Sequence, residues 1–218
     1  MNYKPILLLA LLIFLFKSCH SQNKPKNNIK PVWVPKNQYN NNLNKAYFAA
    51  GCFWCVETIY ESIRGVKEVY SGYAGGKTKN PTYSQIGTGL TNQAEAVEIL
   101  YDPKIIEFKK LIEVFFGSHD PTTLNRQGPD YGTQYRSIAF YQSEEEKEAI
   151  ENYIRKLKEN NVFLNKITTE IIPLKNFYYA EEYHQDYEKK NPNNPYVRAI
   201  SIPRLKRFKQ KFPHLLKN

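Results

Sequence analysis

The run Tyr47-Phe48-Ala49-Ala50, followed by Gly51-Cys52-Phe53-Trp54-Cys55-Val56-Glu57, constrains this chain more than any other stretch. The first four residues read as a buried strand. Val56, Ile59, Tyr60 and Ile63 then recur at i, i+3, i+4 and i+7, which is one apolar helix face, and Gly65 stands where such a helix stops. A strand therefore runs almost directly into a helix, with Cys52 at the helix N-terminus. Unpaired N–H groups and the positive dipole end favour thiolate there, and the thiolate is the nucleophilic form. Cys55 lies one turn on, at a Cβ separation of about 5–6 Å in a regular helix. A disulfide needs about 3.5–4.5 Å, so the pair closes only if the first turn loosens, which suits a bond that forms and breaks. Two buried core cysteines are the alternative reading. Half a zinc site is not supported, because the chain has no second cysteine pair and a structural site needs four ligands.

At 218 residues the chain suits one domain with appendages. Lys4 precedes an apolar run at residues 6–16, too short to span a bilayer and of signal-peptide length. Phe16-Lys17-Ser18-Cys19 resembles a lipoprotein box, with Cys19 as the lipidated residue; Phe16 and Lys17 depart from its usual residues, and ordinary signal cleavage or a short membrane anchor are the alternatives. The chain thus divides into a signal peptide (1–18), a tether rich in Asn, Lys and Pro read as disordered (19–44), a catalytic domain (45–197) and a basic tail (198–218). An exported, envelope-located, lipid-anchored monomer is the expectation. The formal charge of +10 falls to +8 once residues 1–18 are removed. Much of that excess follows Lys189, after which no acidic residue occurs, so a solvated segment wrapped on the domain or resting near anionic lipid is expected, with a nucleic-acid-binding segment as the weaker alternative.

Downstream, strands are expected at residues 66–73, 95–101, 135–141 and 168–174, and helices at 106–116, after the Ser143 cap, and at 179–187. Polar loops at 77–93 and 117–133 are long enough to be functional. The order β-α-β-β-α-β, then α-β, fits an α+β, ferredoxin-like two-layer α/β sandwich with a mixed sheet and added loops. No internal repeat occurs, and Gly87-Thr88-Gly89 lacks the strand and third glycine of a dinucleotide loop.

Gly51-Cys52-Phe53-Trp54 with Val56-Glu57 resembles the signature of the peptide-methionine (S)-S-oxide reductase family, in the form with a second cysteine inside the motif. Gly72-Tyr73-Ala74-Gly75-Gly76, Asn80-Pro81-Thr82-Tyr83, Ala94-Glu95-Ala96-Val97, His119-Asp120-Pro121, Gly132-Thr133-Gln134-Tyr135-Arg136-Ser137 and Ala180-Glu181-Glu182-Tyr183-His184-Gln185 resemble further family blocks, in family order. The resemblance covers roughly residues 45–195 and implies the same sandwich fold. It implies Cys52 as nucleophile, Glu95 as acid, Tyr83 and Tyr135 directed at the sulfoxide oxygen, and Phe53 and Trp54 as walls for the substrate methyl. Asp130 and His184 would contact substrate backbone.

A thiolate attacks sulfur readily only when the sulfoxide oxygen is protonated, so an acid must stand near Cys52; a carboxyl in a partly apolar surround stays protonated near neutral pH. For Glu95 the alternative is a solvent-facing strand residue. Cys55 resolves the resulting sulfenic acid, and a thioredoxin-type dithiol reduces the disulfide, without a cofactor or metal. No cysteine follows Cys55, so recycling rests on it by elimination as well as position. A thioredoxin-like thiol-disulfide oxidoreductase is the competing enzyme class, because C-x-x-C opening a helix after a strand is also its pattern. The bulky Phe53-Trp54 pair suits a small apolar substrate better.

Overall fold

The computed structural model describes residues 33–35 and 42–217. Its central strands are β1 (Asn44–Ala50), β2 (Val66–Ala74) and β3 (Ala94–Tyr101), joined through α1 (Phe53–Glu61) and the short α2 (Tyr83–Gly87). After α3 (Phe108–Ser118) comes a two-stranded hairpin of β4 (Arg126–Gln127) and β5 (Asp130–Tyr131). Then follow β6 (Ser137–Tyr141), α4 (Glu144–Glu159), β7 (Glu170–Pro173), β8 (Phe177–Tyr179), α5 (Tyr187–Lys190) and α6 (Ile202–Lys211). Six strands form one sheet in the order β7-β6-β1-β3-β2-β8. It is a mixed sheet: β7 is parallel to β6, and the other neighbours are antiparallel. The fold is α+β.

Periodicity explains the main layer. Val56, Ile59, Tyr60 and Ile63 are all buried, as are Leu111, Ile112 and Phe115 of α3 and Ile150 and Ile154 of α4. They cover the sheet face that carries Phe48, Val97 and Ile99. Phe48 stacks on Tyr60 and Phe115 at the centre of this layer, with ring centroids 5.7 and 4.9 Å apart. A second, smaller cluster of Tyr47, Ala49, Ala94, Ala96, Ile138 and Phe140 lies on the other face. Strand β3 therefore has apolar cover on both sides, and every one of its residues is buried. Period 2 places Glu95 with Val97 and Ile99 on the helix side. Its neighbour Glu98, also buried, accepts from Tyr47, Lys45 and Tyr179.

Several expectations fail here for identifiable reasons. Residues 179–187 do not form one helix. Residues 177–179 instead add an edge strand to β2, and a single 3₁₀ turn, Glu182–His184, follows. Gln185 explains the break, because its side chain bonds both the N–H and the carbonyl of Ser71 and fixes the segment against β2. Residues 198–218 are not a separate basic tail. Phe208 and Leu215 lie in the main core, and backbone bonds run from Arg64 N–H to the Leu215 carbonyl and from Lys217 N–H to the Ser62 carbonyl. The Lys/Arg-rich composition hid an apolar stripe at Leu205, Phe208 and Phe212. The domain thus continues beyond residue 197. The expected signal peptide, Cys19 and most of the tether lie outside the described residues. Trp33, inside the expected tether, packs against Tyr70 and Tyr179 at 5.8 Å from each ring. Among the described residues, no helix is long and apolar enough to cross a membrane.

Candidate active site

Gly51 takes φ +85°, a left-handed conformation open to glycine, and turns the chain out of β1. A Cβ at this position would stand 2.5 Å from Gln127 Cβ, so the missing side chain lets the β4–β5 hairpin approach the turn. That approach brings Asp130 to the site. Cys52 follows as the N-cap of α1, with ψ 121°, one residue outside the helix. The bond from Val56 N–H to the Cys52 carbonyl is long at 3.3 Å. Glu57 anchors the helix from behind: its buried carboxyl group accepts from the Ser71 hydroxyl at 2.6 Å and from Asp186 N–H at 2.7 Å.

A cavity of about 290 Å³ opens at this helix start, lined by Cys52, Phe53, Trp54, Tyr83, Glu95, Asp130 and Tyr135, together with Asn194 and Tyr196. Seven of the nine residues nominated from sequence line it. Cys55 does not; it is 1% exposed and sits behind Cys52, to which its sulfur is hydrogen-bonded. His184 does not line it either. Its Nδ1 accepts from Trp54 Nε1 at 3.1 Å, and its ring packs on Phe53 and Tyr83. That bond leaves the second ring nitrogen as the N–H of a neutral imidazole, and burial pushes the His184 pKa down to about 4. A cleft of about 450 Å³ between α3 and α4 is larger, but it is lined by Lys, Glu, Arg, Asn and Tyr around Ile112 and Ala149 and has no nucleophile.

Sequence reasoning missed Asn194 and Tyr196. They lie where a domain was expected to end, and one tyrosine among 17 gives no local signal. Tyr196 donates to Asp130 Oδ2 at 2.6 Å and stands 4.0 Å from Cys55 Sγ. Tyr187 was missed as well: it stacks flat on Trp54 at 3.7 Å and, with His184, fixes the indole. Trp54 is thus held from two sides.

The electrostatics differ from the expectation of a Cys52 thiolate. Burial pushes the Cys52 thiol well up, assisted by its hydrogen bond and charge interaction with Cys55 and by Glu95. Desolvation of a side chain only 6% exposed outweighs the helix dipole. The Cys55 pKa is lowered to about 6, first through the hydrogen bond from Cys52 and then, against burial, through Arg204 and the hydroxyls of Ser201 and Tyr196. The two sulfurs titrate as a unit. Glu95 is 2% exposed, so the solvent-facing reading is excluded. Its Oε2 accepts from Phe53 N–H at 3.0 Å, and burial raises its pKa to about 8 despite that bond. Asp130 is raised by burial, with Tyr196 and Arg204 opposing, and Tyr83 is raised to about 12, also by burial first. Among the described residues, the group with metal-ligand spacing is Glu57, Glu61 and Asp186, where the Lys189 ammonium already bonds Glu61 and Asp186.

A buried nucleophile, a second sulfur in contact with it and a protonated carboxyl across a ring-walled cavity narrow the possibilities to thiol redox chemistry. Residues 44–216 match the model of the peptide methionine sulfoxide reductase family. The chain belongs to this family. A peptide methionine sulfoxide reductase MsrA of Acinetobacter baumannii strain AYE is 49% identical over 176 residues, covering 81% of this chain and all of that protein. Its counterpart in Trichodesmium erythraeum is 48% identical over 171 residues, covering 78% and 97%. Among solved structures, reduced Mxr1 from Saccharomyces cerevisiae superposes with a TM-score of 0.66 at 36% identity, covering 76% of this chain and 92% of that one. Methionine sulfoxide reductase A of Corynebacterium diphtheriae gives 0.63 at 38% identity, covering 70% and 77%. The family match extends through α6, so the peptide methionine sulfoxide reductase unit includes the helix expected to be a tail.

Proposed function

We propose that the chain is a methionine sulfoxide reductase that works through Cys52, Glu95 and Cys55. It reduces the sulfoxide of oxidised methionine in peptides. The observation that carries the mechanism is Glu95: a carboxyl buried at the base of the Cys52 cavity and still protonated near neutral pH. Phe53 and Trp54 form the apolar wall for the substrate methyl, and Tyr83 and Tyr135, both raised by burial and so neutral, offer hydroxyls to the sulfoxide oxygen. Asp130 and Asn194, both part-exposed residues of the cavity lining, are the candidates to meet the peptide backbone. His184, buried beneath Trp54, is better supported as a support for that ring than as a contact to substrate.

In the first step the Cys52 sulfur attacks the sulfoxide sulfur while Glu95 protonates its oxygen. The S–O bond of the substrate breaks, methionine leaves as the thioether, and Cys52 retains the oxygen as a sulfenic acid; the proton released by the Cys52 thiol restores Glu95. Cys55 then attacks the Cys52 sulfur, forming the disulfide and releasing water. An external dithiol of the thioredoxin type reduces that disulfide and is itself oxidised. The N-cap position of Cys52, outside the helix, favours closure without unwinding α1.

The first four sheet strands of the βαββαβ order, β1, β2, β3 and β6, lie in the order β6-β1-β3-β2, which supports the ferredoxin-like two-layer reading, with β7 and β8 as edge additions. The apolar run at 6–16 and Cys19 support export and lipid attachment, tested by metabolic labelling with a fatty acid and its loss in Cys19→Ala. The decisive assay for function supplies separate S and R epimers of a methionine sulfoxide peptide with dithiothreitol. Turnover of S is expected, and turnover of R alone would reject the reading. Cys52→Ser is expected to be inert, and Cys55→Ser to form about one methionine per chain with thioredoxin before stalling; full turnover by Cys55→Ser would contradict the scheme.

A further inference from the structure

We propose that Glu181 is a positioning residue for Tyr83, an inference that rests on the role of Tyr83 given above. Its carboxyl group ties the Tyr83 backbone to the Tyr73 hydroxyl and so aims the Tyr83 hydroxyl at the sulfoxide oxygen. One carboxyl oxygen accepts from Tyr83 N–H at 2.9 Å, and the other accepts from the Tyr73 hydroxyl at 2.9 Å. Tyr83 opens α2, so its N–H belongs to the first turn and has no partner within the helix. Glu181 supplies that partner from 98 residues along the chain. Both tyrosine rings pack on Phe53, Tyr73 at 5.9 Å and Tyr83 at 6.5 Å, the latter nearly parallel to it. The carboxyl group therefore joins the two tyrosines that meet the methyl wall.

Glu181 is itself held in place. Ala180 N–H donates to the Ser71 carbonyl at 3.0 Å, the Gln185 side-chain amide donates to the Ala180 carbonyl at 3.1 Å, and His184 N–H closes a turn on the Glu181 carbonyl at 2.9 Å. Tyr73 is fully buried on β2, so the carboxyl group meets a hydroxyl that the sheet fixes. Tyr83 starts from a weaker base. Its helix has five residues and buries one of them, Ile86, and a helix this short has little stability of its own. The capping box between Thr82 and Gln85 sets the shape of that turn but not its place on the domain. The bond to Glu181 ties it to a segment that the sheet fixes. Residues 180–185 thereby serve two parts of the cavity lining, Glu181 placing Tyr83 and His184 holding Trp54. As the S–O bond breaks, negative charge grows on the sulfoxide oxygen, and a hydroxyl already aimed at it stabilises that charge more than the ground state. Losing the aim lowers the rate at saturating peptide more than the affinity.

The test uses the full chain, reduced and freed of reductant, and follows methionine formation in a single turnover with a methionine sulfoxide peptide, in a double-mutant cycle with Tyr83→Phe. Glu181→Ala is expected to slow this step by about tenfold at saturating peptide, a loss bounded by what Tyr83→Phe itself costs. The half-saturating peptide concentration should change by less than about twofold. Glu181→Gln should stay within about twofold of the parent, because the amide oxygen accepts from Tyr83 N–H while its NH2 donates to the Tyr73 oxygen. In the Tyr83→Phe background, Glu181→Ala should add less than about twofold. Tyr73→Phe/Glu181→Ala leaves no buried hydroxyl unpaired and carries the same comparison if Glu181→Ala does not fold. A parent-like rate in Glu181→Ala, a slowing that is equal with Tyr or Phe at position 83, or a loss in Glu181→Gln as deep as in Glu181→Ala overturns the positioning role while leaving the reductase reading intact. Tyr83→Phe reacting at the parent's rate overturns it together with the role given to Tyr83. Absence of methionine formation in the parent chain overturns both the positioning role and the reductase reading.

Discussion

Glu95→Gln should stabilise this protein while disabling it, and the size of the stabilisation should depend on pH in a defined way. The carboxyl has an ordinary pKa of 4.5 and is raised to about 8 by burial. Between those values the unfolded chain has given up a proton that the folded chain still holds, so stability falls as pH rises through that window. At 1.36 kcal/mol per pKa unit, the penalty is about 3 kcal/mol at pH 7, about 5 kcal/mol above pH 8 and near zero at pH 4. Glutamine removes the titration and retains an oxygen to accept from Phe53 N–H, now 3.0 Å from the carboxylate. Urea denaturation of parent and variant under reducing conditions, followed by tryptophan fluorescence from pH 4 to 9, measures the difference directly. Glu57, raised to about 8 by burial, titrates in both proteins and leaves the difference unaffected. The expected difference climbs from near zero at pH 4 to a plateau above pH 8. Over the same range the parent's activity should decline as Glu95 ionises, and the variant should lose about 10²- to 10⁴-fold in rate. A stability difference that is flat with pH, or that shrinks as pH rises, would refute the claim that this carboxyl is held protonated by burial.

Gly51→Ala places a Cβ 2.5 Å from Gln127 and forces φ +85° on an L residue; a loss of at least about 1–2 kcal/mol in urea denaturation and a larger fall in kcat/KM are expected as the hairpin bearing Asp130 is displaced. Phe208→Ala, at a side chain 2% exposed, should cost about 3–5 kcal/mol in thermal or urea unfolding, whereas a segment merely resting on the domain would show almost no change. His184→Ala removes the acceptor of the Trp54 indole, so KM should rise with kcat little changed, and the pH dependence of KM between 6 and 8 should be the same in parent and variant because the imidazole is neutral throughout that range.

What the sequence made legible was what is local. The strand, the turn and the apolar helix face at residues 47–63 carry their own periodicity, and Glu95 could be nominated because it stands in a block with a recognisable order. The orientation of Glu95 required the strand to lie between two covered faces, which is a property of the assembled sheet. Residues 198–218 were misread because seven Lys and Arg and the lack of any acidic residue drew attention from the spacing of Leu205, Phe208 and Phe212, and spacing, not number, decides which face is buried. Tyr196, Ser201 and Arg204 reach the site from a segment about 140 residues after the cysteines, and no pattern short enough to read along the chain connects them.

The ionisation of Cys52 was the misjudgement with consequences for chemistry. A helix N-terminus favours a thiolate by up to about 2 kcal/mol in favourable, partly buried geometries, but removing a sulfur from water works against the anion by more when the side chain is almost fully covered. The pair titrates as a unit: burial raises Cys52, and the hydrogen bond from Cys52, with a guanidinium and two hydroxyls acting against burial, lowers Cys55. Cys52, 6% exposed and with its thiol pKa raised by burial, is poorly placed to react with small oxidants or disulfides, which need a thiolate at the surface. A sulfoxide that fills the cavity brings the one electrophile whose oxygen Glu95 reaches, and its arrival supplies the acid that attack requires. The desolvation that suppresses Cys52 and the desolvation that keeps the proton on Glu95 come from the same covering of rings, so loosening that cover should weaken selectivity and acid catalysis together.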